Sequence, residues 1–312
     1  MITEKSLFAK HVDEGLSSTK KHLSSMYFYD TKGELLFRKI MNLQEYYLTD
    51  CEMEILRTHG NEIASSLQNE YVDIIELGAG DGIKTKELLK HFDFNTINYR
   101  PIDISEQAIR DITSKMKEWL PGLNVNGICG DYFQMISSLK SSNKKLILFL
   151  GSNLGNMNDN QASNFIEHLD KVMNVGDSIF IGLDLIKAKE IVLPAYNDDR
   201  GITAAFNLNL LERMNRELNA NFIIDQFQHY ATYTEKEGIA KSYIKSKVNQ
   251  TVYIKALEQN YSFSENELIH TEVSRKYDLD IIRKIIENTS LKLTHQFTDN
   301  KQYFTNLVLK KS

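Results

Sequence analysis

Cysteine, proline and tryptophan are scarce in this chain of 312 residues, numbering two, three and one. Cys51 and Cys129 form no metal-ligand or redox pattern, and they read as free thiols in a reducing compartment. Pro101, Pro121 and Pro194 are scattered, which excludes a proline-rich linker. No run approaches the roughly 18 consecutive apolar residues that a membrane span needs. The opening MITEKSLFAKHVDEG carries charges where a signal peptide needs an apolar stretch. Charge of one sign is also lacking. The formal net charge is -5, with Lys and Glu interspersed, so no basic field attracts nucleic acid or an anionic membrane. Repeats and low-complexity tracts are absent. A cytoplasmic monomer that handles a small molecule is the expectation, with neither nucleic acid nor membrane as partner.

What is present is alternation. YVDIIELG (71–78) is an apolar run ending in glycine, and IKTKELLKHF after it repeats apolar residues at helical spacing. INYRPIDI reads as a second strand and SEQAIRDITSKMKEWL as its helix, with Ser105 as N-cap. NVNGICG is a weaker third strand, KKLILFLG a fully apolar fourth and DSIFIGLDL a fifth, with the helix NQASNFIEHLDKVM between the last two. This order predicts an α/β fold with a doubly wound parallel sheet. After the helix DLDIIRKIIENT, the runs LKLTHQFTD and QYFTNLVLKK predict an antiparallel hairpin turning at Asp299 and Asn300. A parallel sheet closed in this way is the layout of class I S-adenosylmethionine methyltransferases. The first 50 residues and the stretch 186–276 do not alternate, and they predict a second, α+β domain.

ELGAGDGIKT follows the first strand, at the end of an open α/β sheet where ligands bind. Gly78, Gly80 and Gly82 permit a tight turn and close approach of a ligand to the backbone. The dinucleotide fingerprint requires another glycine where Ile83 stands, which disfavours NAD. Asp103 ends the second strand, where it can accept both hydroxyls of a ribose. Asp131 follows the third, where it can accept from an adenine amino group while Tyr132 covers the ring. Either aspartate could instead cap the helix after it. Lys84 can reach a ligand carboxylate or serve as a solvated helix residue. With the terminal hairpin, this set favours S-adenosylmethionine. Near the other end, ELIHTEVSRKYD reads as a strand whose period of two turns Glu272 and Ser274 to one face. That face is either a solvated edge or a pocket wall.

FYDTKGELLFRKIMNLQEYYLTDCEMEIL, ELGAGDGIKT, FLGSNLGN, AYNDDRGITAAFNLNLLERMNREL and TEVSRKY together resemble the L-histidine Nα-methyltransferase family of ergothioneine biosynthesis, from about residue 25 onward. The resemblance implies a methyltransferase domain at 51–185 and 277–312 and a substrate-binding domain at 1–50 and 186–276. It implies that S-adenosylmethionine is used to convert histidine to its trimethylated betaine, hercynine. Carried over by position, it puts the methyl donor on Gly78, Lys84, Asp103, Asp131 and Tyr132. The amino acid falls to Tyr29, Tyr46, Gly151, Asn156, Tyr196, Glu272 and Ser274.

In that scheme Glu272 accepts from the imidazole N–H and Ser274 serves the other ring nitrogen. Asn156, Tyr46 and Tyr196 hold the α-carboxylate and orient the amine, and Tyr29 with a water accepts or relays a proton. Taken singly, each tyrosine is one of 15 and reads as an ordinary half-buried residue. The chain departs from the family at Ser242, where ergothioneine enzymes usually carry methionine, and at Gly82 and Ile83, which replace more polar residues. Other readings are the same chemistry on tryptophan or a modified histidine, an NAD-dependent dehydrogenase, or a binding protein without turnover.

Overall fold

The structure, a computed structural model, describes residues 4–67, 71–131, 134–136 and 143–312. In chain order the strands are β1 (Val72–Leu77), β2 (Ile97–Asp103), β3 (Asn124–Val125), β4 (Ile128–Cys129), β5 (Lys144–Phe149) and β6 (Ser178–Asp184). They continue with β7 (Phe227–Thr234), β8 (Ile239–Ser246), β9 (Gln250–Ile254), β10 (Gln259–Phe263), β11 (Leu268–Arg275), β12 (Leu291–Thr298) and β13 (Phe304–Lys311). The chain forms two compact units, Leu48–Ile186 with Arg275–Ser312, and Met1–Tyr47 with Lys187–Ser274.

The first of these units is an α/β unit built on one sheet in the order β12-β13-β6-β5-β1-β2-β3, with β4 also paired to β2. Strands β1 to β6 pair in parallel, and β13 lies antiparallel to both β6 and β12. All six residues of β1 are buried, as expected for a central strand covered on both faces. Strand order reverses at β1 and β5, the switch point where open sheets present ligands at the strands' carboxyl ends. Ser105 caps the helix Glu106–Trp119 by accepting from the Ala108 N–H. The predicted third strand is two short pieces, β3 and β4, rather than one continuous strand. Between them Gly127 lies against that helix, since a Cβ there would fall 2.6 Å from Ile109 and 2.8 Å from Thr113. Asp299 organises the terminal hairpin by accepting from the N–H groups of Tyr303 and Phe304.

The second unit is α+β. A three-stranded sheet, β11-β8-β7, and the hairpin β9-β10 pack with the helices Glu4–Ser17, Thr31–Met41 and Ile202–Leu218. Phe8, Phe28, Phe206, Leu210, Met214, Phe227, Ile244 and Ile269 belong to its buried core. Asp30 caps the helix Thr31–Met41 at the Gly33 N–H (2.7 Å) and also takes Asn209 and Arg216. Desolvation opposes its charge, yet these donors together hold its carboxyl below the usual range. The motif FYDTKG is thus a helix start tied to a distant helix.

Candidate active site

In the α/β unit the turn after β1 is open backbone. Gly78 and Gly80 have φ of +74° and +54°, and a Cβ built at either would have no neighbour within 4 Å among the described residues. Gly82 is different, because a Cβ there would sit 1.9 Å from Ile112, so this glycine lets two helices approach. Asp103 ends β2 and accepts from the Ser105 N–H at 2.9 Å, while Ser105 itself caps the helix. Burial raises the Asp103 pKa, against the backbone N–H groups of Ser105 and Ile104. Asp131 accepts from the Gln134 N–H at 3.2 Å, the capping use that its position allowed. Tyr132 lies outside the described residues.

Lys84 is not a solvated helix residue. Its Nζ donates to Glu52 Oε2 at 2.7 Å, and the Glu52 side chain is 0% exposed. The same carboxylate accepts from the Gly151 N–H at 2.9 Å and from Asn306 Nδ2 at 3.0 Å. Sequence reasoning missed Glu52, although a signal existed. Leu48, Cys51, Glu52, Ile55 and Leu56 occupy the buried stripe of the helix Tyr47–Leu67, and a glutamate there needs a partner. Nearby, Glu76 on β1 accepts from Thr85 Oγ1 at 2.5 Å and from the Tyr99 hydroxyl. Burial pushes its pKa from 4.5 up to about 7, opposed by Thr85, Tyr99 and the charge of Lys84 and reinforced by Glu52. Gly151, with φ of +79°, opens the turn after β5. Asn156 ends the short 3-10 helix Asn153–Asn156 and is exposed, and its side-chain amide makes no hydrogen bond among the described residues.

In the α+β unit, Tyr196 follows the helix Lys189–Ala195 and is buried, and its hydroxyl is 2.7 Å from Ser274 Oγ. Glu272, two residues earlier on β11, accepts from Ser242 Oγ on β8 at 3.3 Å. Ser242 and Ser274 are both buried, which excludes the solvated-edge reading for this end of the strand. Tyr29 stands edge-on to Phe37 and Phe206, with ring centroids at 5.5 and 5.7 Å, and Tyr46 meets Phe37 at 6.2 Å. Tyr29 is 44% exposed as a residue, so it is at its hydroxyl end that desolvation first, then the charges of Glu272 and Tyr196, raise the phenol pKa. It is therefore a neutral hydroxyl at ordinary pH.

His229 is a second residue missed from sequence. Its Nε2–H donates to the Tyr196 carbonyl and its Nδ1 accepts from Asn207 Nδ2, both at 2.7 Å. Burial lowers its pKa, consistent with a neutral ring in that tautomer. Just beyond, Asp198 accepts from the Ile202 and Thr203 N–H groups and starts the helix Ile202–Leu218. The motif AYNDDRGIT is accordingly a device that fixes Tyr196.

The profile of the family described as histidine-specific, SAM-dependent methyltransferases matches residues 8–311. A histidine N-alpha-methyltransferase of Mycobacterium tuberculosis is 34% identical over 86% of this chain and 84% of its own. One from Mycolicibacterium smegmatis is 32% identical over 93% of this chain and 90% of its own. Among solved structures, a mitomycin 7-O-methyltransferase superposes with a TM-score of 0.52 at 9% identity, covering 99% of this chain and 69% of that one. That likeness carries the fold, a class I methyltransferase. With a family profile spanning nearly its whole length, the chain belongs to the histidine-specific, S-adenosylmethionine-dependent methyltransferases.

Proposed function

We propose that this enzyme methylates the α-amine of free L-histidine, ending at the trimethylated betaine hercynine. The observation that carries this reading is the set of polar groups gathered in the α+β unit: the Tyr196–Ser274 pair, the Ser242–Glu272 pair and the neutral Tyr29 hydroxyl. An imidazole offers a ring N–H and a ring nitrogen acceptor, and Glu272 and Ser274 on one strand face provide the complementary acceptor and hydroxyl. A site built on such bonds rejects an analogue that lacks the partner by roughly 10⁴-fold or more, because its buried polar groups stay unpaired.

The donor's residues fit S-adenosylmethionine: an open glycine backbone at Gly78 and Gly80, a desolvated carboxyl at Asp103 for the ribose, and the Lys84 ammonium for a carboxylate. Asp131 is assigned to the adenine amino group. S-adenosylmethionine supplies a methyl group already activated on sulfonium, so the protein's task is to position, to exclude water and to manage a proton. Asn156, whose amide makes no hydrogen bond among the described residues, is assigned to orient the amine. Tyr46, Tyr196 and Gly151 are assigned to the amino acid, the two tyrosines to its α-carboxylate. Tyr29 does not act as a phenolate base, because its pKa is raised. A neutral phenol can both donate its hydrogen and accept at its oxygen, which suits a relay to water.

Ser242 favours a second reading, the same chemistry on another amino acid, because it is small and already tied to Glu272. Mass spectrometry of the purified enzyme with S-adenosylmethionine and each proteinogenic amino acid tests both. Methyl gain on histidine alone, up to three groups, is the expected result. Gain on another amino acid instead overturns the acceptor, and no gain on any overturns the free-amino-acid reading.

A further inference from the structure

We propose that Glu52 is a positioning residue for the methyl donor, holding the Lys84 ammonium so that its remaining hydrogens face the donor's carboxylate. This rests on the assignment of Lys84 in the reading above. A fully buried carboxylate is costly unless its oxygens are paired, and Glu52 is fully paired: Oε2 takes Lys84 and Gly151, and Oε1 takes Asn306. The surrounding chain is shaped for it. A Cβ at Gly182 on β6 would stand 2.0 Å from Glu52 Oε1, and one at Gly151 would stand 3.1 Å from Lys84 Nζ. Any larger residue at Gly182 would displace the carboxylate.

Lys84 is the member of this cluster that has something left to give. An ammonium has three donors. One goes to Glu52, and the others have no partner among the described residues, while the side chain keeps 24% exposure. A lysine on four flexible methylenes is otherwise a poorly aimed charge. Glu52 fixes that aim, and by the same oxygen it fixes the Gly151 N–H at the turn after β5. A purely structural glutamate would have no reason to hold a half-committed cation at the ligand end of the sheet.

Glu52→Gln separates charge from shape. Asn306 Oδ1 is buried and has no partner among the described residues, so a flipped Asn306 amide can accept from the new amide and the fold is kept. Calorimetric titration uses two probes, S-adenosylhomocysteine, which carries the amino-acid tail, and 5′-methylthioadenosine, which lacks it. Glu52→Gln is expected to weaken S-adenosylhomocysteine about tenfold, as the loss of one oriented charge-assisted hydrogen bond would. Methylthioadenosine should bind as to the wild type. In a Lys84→Met background, Glu52→Gln should add no further loss, and the double variant removes both charges of the pair together. Equal weakening of both probes marks a structural role and overturns the proposal, as does unchanged or tighter S-adenosylhomocysteine binding in Glu52→Gln. If Lys84→Met alone leaves S-adenosylhomocysteine unaffected while methylthioadenosine binds, the Lys84 assignment falls and this inference with it. Should Glu52→Gln not fold, Glu52→Asp retains the charge but withdraws it from Lys84, and the same selective loss is expected.

Discussion

The two units solve opposite electrostatic problems. In the α/β unit the polar centre is ionic, with Glu52, Lys84 and Glu76 sharing a buried neighbourhood in which one cation faces two acids. In the α+β unit the polar groups are mostly neutral: the Tyr196 and Ser274 hydroxyls pair, Ser242 donates to the Glu272 carboxylate, and burial lowers the pKa of His229. Such a division suits a donor that arrives charged and an acceptor whose amine must become neutral before it can react. The ionic centre should therefore respond to pH and charge substitution, and the neutral centre to removal of single hydroxyls.

The largest expected effect is on stability, at Glu76. Its pKa is higher folded than unfolded, so the native state keeps a proton that the unfolded chain has lost. Stability from this group is full below about pH 4.5 and is lost as pH rises towards about 7. The loss is on the order of 3 kcal/mol, from about 1.4 kcal/mol per tenfold change in proton affinity. Denaturant unfolding of wild type and Glu76→Gln at pH 5 and pH 8 checks this, since the variant should lose that slope. An equally steep slope in the variant would assign the titration to another group.

Asn156→Ala comes next, with kcat/KM for the acceptor expected to fall about a hundredfold by misorientation of the amine. Donor binding should persist, and a variant that turns over normally would refute the assignment. Glu272→Gln should raise KM for histidine about tenfold or more by replacing a charge-assisted hydrogen bond with a neutral one, leaving kcat less affected. Ser242→Ala should have the smallest effect. Its 3.3 Å bond to Glu272 is long, so a rise in KM of about threefold, under 1 kcal/mol, is the expectation. If Ser242→Ala costs more than Glu272→Gln, the serine contacts the acceptor itself and the neutral centre has to be redrawn.

How much of this was legible in the sequence differs between the same two regions. The strands β1, β5 and β6 announced themselves as apolar runs because they are covered on both faces. The NVNGICG stretch did not reveal its break, since only packing shows that Gly127 is pressed against a helix. Ser105 was readable as a cap because capping is local. Asp103 and Asp131 were readable as candidates because each stands at or just past the end of a strand on the ligand side of the sheet, yet the choice between ligand and cap depends on where each carboxylate points. Glu52 and His229 were not singled out because each is defined by partners distant in sequence. Glu52 meets Asn306 and His229 meets Tyr196, and no periodicity links them. The site tyrosines stand out only through the family resemblance, because composition alone cannot rank 15 of them.

The spacing of the Glu52 contacts also bears on how the protein acquires its activity. Its donors lie 32, 99 and 254 positions further along the chain. Loops of that size close slowly, so this carboxylate is sealed only after the chain from Glu52 to Asn306 has come together. Donor binding should consequently appear as a late event in refolding, lagging behind the recovery of helical signal, and it would report the maturation of the whole sheet rather than of the glycine turn alone.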